Sequence, residues 1–387
     1  RAAAALARRS HRRVVGVAVR RAAVPRSGRV LLGGQRPASS AASAGGGDDA
    51  ARGVGTYTTV GFALDIDGCV WRGGDLIPGS RHAVATLMER DVPFVFLTNG
   101  GGRLEKEAAA TLASKLDLDI SAEHVVLSHT PMHSLVHEHG EQLVLVSGKA
   151  RATDVLASYG FKRMVTTAQL HSQYPWLWPD RAPAPIPERE LARLEDANLL
   201  VTPSNPIGAV FGIMDPDDWA RDMQLLVDVC RSKGCPDVRE GAMGPGSSEA
   251  QSVPLYMSCP DLEYMAEAKL PRLGAGSFGM ALAHLFESSV GSPLRCTWFG
   301  KPRQTTYAHA LKLLEAQATA FGFDGLRSVY GVGDNPVADV RGANNAGEPW
   351  ESVLVRTGVF VGDGNDAVDP GDHVFDTLGD AVKALAP

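Results

Sequence analysis

Apolar and polar residues fall into blocks along most of the chain. TTVGFALDIDG, from Thr58, is an apolar run that stops at two carboxylates. A short apolar run closed by Gly reads as a buried parallel strand. SRHAVATLMERD follows, with Val84 and Leu87 on one face and Ser80 as its expected cap, and predicts a helix. VPFVFLTNGGG predicts a strand over 94–97, and EKEAAATLASKLDL a second helix. The same alternation returns with LVLV at 143–146, GAVFGIMDP, VPLYMS, RCTWFGKP, LRSVYGVGDNP and ESVLVRTGV as strands. Between and after them lie helical stretches such as RATDVLASYG, DDWARDMQLLVDVCRSKG, GSFGMALAHLFESSVG, TTYAHALKLLEAQATAFG, VADVRGANNAG and LGDAVKALA. In the second of these, Trp219, Met223, Leu226 and Val227 share an apolar face. Strand and helix in turn predict an α/β fold, with a parallel sheet covered by helices.

Two stretches break the pattern. Residues 172–187 hold five Pro and two Trp, Trp176 and Trp178, and predict a long loop in which both Trp pack locally. Residues 240–252 are rich in Gly and Ser and are expected to be mobile.

Charge separates the N-terminus from the rest. Residues 1–52 carry eleven Arg and only Asp48 and Asp49 as acids, a net of +9 in a chain of net −6, so residues 53–387 carry −15. An Arg- and Ala-rich, acid-poor leader predicts an import presequence, to the mitochondrion (matrix) or alternatively the plastid, followed by a disordered linker. An acidic body disfavours nucleic acid as a partner. No run is long enough to predict a membrane span. Five irregularly spaced Cys offer no matched pair for a zinc site and fit reduced thiols.

The chemistry is concentrated where strands end, which is where open α/β sheets bind ligands. One strand delivers Asp65 and Asp67, a second Thr98 and Asn99. A third leads to Lys301, and a fourth to Asp334 with Asp339 five residues on. Clustered carboxylates call for a hard divalent cation, and Mg²⁺ accepts carboxylate oxygens with water and phosphate. Asp65 suits nucleophilic attack on phosphorus. Asp67 suits proton transfer to and from the leaving group and water. Lys301 and Thr98 suit the phosphoryl oxygens. The expected metal set is Asp65, Asp334, Asp339 and residue 67 through its backbone carbonyl. A dehydrogenase is disfavoured, because carboxylates stand where that fold needs a Gly-rich turn.

These motifs, in this order, resemble the haloacid dehalogenase (HAD) superfamily. The resemblance implies Asp65 as nucleophile, Asp67 as acid/base, Thr98 and Lys301 at the phosphate, and Asp334 and Asp339 at the metal. Asp at 67 is similar to the phosphatases rather than the dehalogenases or phosphonatases. The long insert before Lys301 resembles the class IIA cap. HTPMHSLV (129–136), DPDDWARDMQLL (215–226) and RLGAGSFG (272–279) resemble the branch of cat eye syndrome critical region protein 5-like mitochondrial hydrolases. The implied fold is a Rossmannoid core with an inserted α/β C2-type cap. The core is expected over 53–132 and 267–387 and the cap over 133–266. The implied substrate is a small phosphate ester, with a link to glycerophospholipid metabolism. A homodimer through the cap and a catalytically silent binding protein stay open as alternatives.

Several residues are expected around the substrate. Asn99, Gly100, Asp261 and Gly276 are the expected binding set. Gly101 and Gly102, and Gly274 with Gly276, are placed where backbone approaches a ligand. Cys259 stands in SCPDL, where the resemblance leads to an expected amide. His129 is expected near a hinge between core and cap, in structural hydrogen bonding.

Overall fold

The computed structural model describes residues 58–179, 187–236, 251–264 and 270–387. The expected presequence and linker, residues 180–186 of the Pro-rich loop and residues 240–250 of the Gly/Ser-rich stretch lie outside them.

In chain order the principal elements are β1 (Thr58–Leu64), α1 (Ser80–Glu89), β2 (Phe94–Leu97), α2 (Glu105–Leu116), β3 (Val125–Val126), β4 (Leu143–Gly148), α3 (Ala152–Tyr159), β5 (Arg163–Thr166), β6 (Ala209–Ile213), α4 (Trp219–Arg231), β7 (Leu255–Met257), α5 (Ala275–Val290), β8 (Cys296–Trp298), α6 (Gln304–Ala320), β9 (Gly325–Gly333), α7 (Arg341–Ala346), β10 (Trp350–Val355), β11 (His373–Phe375) and α8 (Leu378–Leu385). They build two parallel sheets. The first has the order β11-β10-β9-β1-β2-β3, and the second β8-β7-β6-β4-β5.

Each sheet is buried on both faces, which is why its strands read as continuous apolar runs. In β1, Val60, Phe62 and Leu64 pack with Val84 and Leu87 of α1 and with Leu378 and Val382 of α8. Ala63 between them faces Tyr307, Ala310 and Leu314 of α6. The second sheet repeats the design. Leu143 and Leu145 of β4 face Leu226 and Val229 of α4 and Phe278 and Leu282 of α5, while Val144 and Val146 face Val155 and Leu156 of α3.

Three details differ from expectation. Ser80 is not the cap of α1: Gly79 holds that position in the left-handed region, and the Ser80 hydroxyl is buried without a partner. The face of α4 turned inward includes Asp222, which is fully buried and accepts from Ser147, Thr167 and Arg221. The third concerns the division of the chain. α5 and β8, which the expected boundary at residue 266 assigns to the core, belong to the second sheet, since β8 pairs with β7 and α5 packs in that sheet's cluster. The inserted unit therefore runs on through Trp298. Elsewhere, Trp176 makes a ring contact with Tyr174, as local packing requires.

Candidate active site

Three strands of the first sheet end side by side. Asp65 follows β1, and its N–H donates to the carbonyl of Val332 in β9 at 2.8 Å. Thr98 follows β2, its N–H held by Val126 at 3.0 Å. Asp334 follows β9. Asp339 returns to the same place because Asn335 caps the next turn, its side chain accepting from Val337 and Ala338 N–H groups while its own N–H donates to Asp339 Oδ2. An Asn before Pro at the first helical position has this capping geometry. The strand that leads to Lys301 belongs to the second sheet, so the lysine reaches the cluster from the cap side.

Lys301 Nζ donates to Asp65 Oδ1 and lies 2.5 Å from Asp339 Oδ1. All of Asp65, Lys301, Asp334 and Asp339 are buried. Beneath them the Tyr307 hydroxyl donates to the Asp339 carbonyl at 2.9 Å. Burial pushes Asp65 well above the carboxylate range; Lys301 opposes this, and Asp339 and Asp334 add to it. Burial, then Asp339, pushes Asp334 up to about 6, against the N–H of Val359. Burial alone would lower Lys301, but Asp339 and Asp65 outweigh it and hold the ammonium well above its usual value. Among the described residues, the Lys301 ammonium pairs with two of these three buried acids, Asp65 and Asp339. Ligand oxygens of Asp65, Asp334 and Asp339 all lie within 4.8 Å of one another. A small hard divalent cation fits that donor set and that charge deficit.

Asp67 stands apart from this group. It is exposed, and the Trp71 indole N–H donates to its Oδ1 at 2.8 Å. Its side chain is not among the carboxylates that come together; the metal role expected at 67 is one for its backbone carbonyl.

The expected substrate residues divide. Asn99 is a strut: Nδ2 donates to Asp261 Oδ1 at 2.8 Å and to the Lys301 carbonyl at 2.9 Å, and Oδ1 accepts from the Lys301 N–H at 2.6 Å. Gly100 turns its N–H back onto Thr98 Oγ1 at 3.0 Å. Gly276 serves the protein's own backbone. Its N–H donates to the Asp261 carbonyl at 2.9 Å, and a Cβ there would lie 2.2 Å from the Pro260 carbonyl oxygen. Gly274 likewise donates to Leu262. At both glycines α5 packs closely on the 260–262 segment. Burial raises both the Cys259 thiol, to about 12, and the Asp261 carboxyl. No sequence signal marked Trp71 or Tyr307.

Residues 62–162 match the family model described as haloacid dehalogenase-like hydrolase, and residues 298–381 match a second, described as HAD-hydrolase-like. A mitochondrial hydrolase of Saccharomyces cerevisiae is 32% identical over 331 residues, 79% of this chain and 89% of that protein. The chain belongs to the haloacid dehalogenase-like hydrolases. Its two parallel sheets are those of the class IIA phosphatase family. A Schizosaccharomyces pombe protein, a fusion of cardiolipin synthase (CMP-forming) with a mitochondrial hydrolase, is 33% identical over 329 residues, 83% of this chain. The chain spans about half (52%) of that relative's length. Among solved structures, the chain shares its fold with the glycerol phosphate phosphatase of Mycobacterium tuberculosis in complex with magnesium. There the TM-score is 0.54 at 18% identity, covering 85% of this chain and 78% of that one. No helix among the described residues is long and apolar enough to cross a membrane.

Proposed function

We propose that this hydrolase removes the phosphoryl group from a small phosphate ester through an aspartyl-phosphate intermediate. The observation that carries the reading is the buried cluster of Asp65, Asp334 and Asp339 around the Lys301 ammonium. Asp65 Oδ1 attacks phosphorus, the bond to the leaving oxygen breaks, and an acyl phosphate forms. Asp67, exposed and steered by Trp71, gives its proton to that oxygen. It then takes a proton from water, which attacks the acyl phosphate and frees Asp65 and inorganic phosphate. Lys301 and the Thr98 hydroxyl face the charge on the phosphoryl oxygens. Asp65, Asp334, Asp339 and the carbonyl of residue 67 would hold Mg²⁺. When bound, the ion neutralises charge on the phosphoryl group and on the aspartates.

The substrate class is read from the relatives. One is fused to a phospholipid-synthesising enzyme, and a protein of the same fold is a glycerol phosphate phosphatase. Both support an ester of the glycerol-phosphate type. The Arg-rich leader and the two mitochondrial relatives support a mitochondrial location. The test is phosphate release by the full chain from a metabolite-phosphate panel, with Mg²⁺ and with chelator. Turnover that depends on Mg²⁺ and favours glycerol phosphates supports the reading. Absence of release across the panel, or indifference to chelation, rejects it.

A further inference from the structure

The Thr98–Gly102 turn is held from two sides. On the core side, the N–H of Ser128 donates to the Gly100 carbonyl at 3.2 Å. A Cβ on Gly101 would lie 2.8 Å from Ser128 Oγ, 2.9 Å from Met214 Sδ and 3.0 Å from His129 Cδ2. The turn therefore lies flat against Ser128 and His129 of the core and Met214 of the cap, with no room for a side chain. Met214 itself is in the left-handed region at φ 61°, with its N–H held by Ser258 Oγ at 2.9 Å.

His129 has a second contact that crosses between the two units. Its ring is fully buried, and Nδ1 lies 2.6 Å from the hydroxyl of Tyr159, the last residue of cap helix α3. That hydroxyl also contacts Glu105 Oε1 at the start of core helix α2, and Glu105 accepts from Thr130 at 2.6 Å as well. A phenol has one proton to give. Spent on Glu105, it leaves the hydroxyl only able to accept from His129, so Nδ1 carries the imidazole proton. Nε2 makes no side-chain hydrogen bond and is buried, with the Arg103 backbone also acting on the ring. It is bonded to Cδ2, the atom that lies against Gly101. One imidazole thus joins the cap, through Tyr159, to the back of the turn. The mechanism above uses none of these groups.

We propose that His129 and Tyr159 are positioning residues for the Thr98–Gly102 turn, tying the seating of the cap to the geometry of the phosphate-binding backbone. The inference rests on the reading of that turn as the place where a phosphoryl group binds. Loss of the Tyr159 contact frees the imidazole to tilt, and the turn that packs on it loosens.

The test compares wild type with Tyr159→Phe, which keeps the ring and removes the hydroxyl. Amide hydrogen exchange is followed over residues 99–103 and over strands β6 and β9 as references. Exchange at 99–103 is expected to quicken about fivefold or more while the references hold. The inhibition constant of inorganic phosphate with Mg²⁺ is expected to rise by a similar factor. His129→Leu should match it, and His129→Asn, which keeps an N–H donor, should recover most of the loss. Quickening confined to α3, with 99–103 and the phosphate constant unchanged, overturns the proposal. Should Tyr159→Phe not fold, wild type with and without inorganic phosphate decides. Joint protection of 99–103 and 152–159 supports the link, and protection of 99–103 alone overturns it. A wild type that releases no phosphate from any ester refutes the proposed function. The exchange comparison, which needs no turnover, still tests the link.

Discussion

The amide of Asn99, at the end of a core strand, donates to Asp261 Oδ1 of the cap at 2.8 Å and clasps the backbone of Lys301 with both of its polar atoms. A residue type that suits substrate recognition is here committed to holding the lysine. Asn99→Ala should therefore act through Lys301. It is expected to cost about 1–3 kcal/mol of stability, from the buried groups left unpaired. It should also lower kcat together with kcat/KM. Urea denaturation and steady-state kinetics with p-nitrophenyl phosphate check this; a change in KM alone would return Asn99 to a role in substrate contact.

Removing the ammonium should be harsher. Lys301→Met leaves Asp65 and Asp339 buried without their cation, and breaking such a pair costs roughly 3–5 kcal/mol. The loss is expected to be largest in chelator and to be partly reversed by Mg²⁺. Thermal melts with and without the ion measure both. A melt unchanged by the substitution would contradict the charge balance described here.

Asp334 offers the complementary experiment. If it is a ligand, millimolar Mg²⁺ raises the melting temperature of wild type by mass action and leaves that of Asp334→Asn unmoved. Equal stabilisation of both would place the ion elsewhere.

Acid stability should depend on His129. Burial lowers its imidazole to about 4, although Glu105 nearby acts to raise it. Protonation is easier in the unfolded chain, whose His titrates near ~6.5. The neutral folded form therefore adds stability that is whole above that value and is lost as pH falls from about 6.5 towards 4. The ring also meets the Tyr159 hydroxyl and the Arg103 backbone, which acts with the Glu105 carboxylate to raise the imidazole, and Thr130 lies behind them. His129→Asn should flatten the fall of the urea midpoint across that window. An unchanged slope would mean that the imidazole carries no such burden.

Asp65, Thr98 and Asp334 were legible in the sequence because each closes an apolar run, and a parallel strand buried on both faces announces its own end. Lys301 was legible as a member of the strand-end cluster, where it lies, but not as a visitor from the other sheet. CTW fits either sheet equally well, and only its pairing with Leu255–Met257 decides. The boundary at 266 was misplaced for the same reason. His373–Phe375 and Val125–Val126 are too short to show a period. Gly276 looked like a ligand-binding glycine because a G-x-G at a helix start has that form. Its close contact with Pro260 involves a segment that no local pattern connects to it. Trp71 on Asp67 and Tyr307 under Asp339 are tertiary contacts with no sequence period at all.

The proposed chemistry turns on Asp65 as the nucleophile that bonds to phosphorus. The most direct measurement is acid quench of the hydrolase during turnover with Mg²⁺ and a competent ester, followed by peptide mass analysis. One added phosphoryl group is expected on the peptide containing Asp65, released by hydroxylamine and absent from Asp65→Asn, whose turnover falls by ~10³-fold or more. A phosphoryl group on another residue, or an Asp65→Asn variant that still turns over at the wild-type rate, would contradict it.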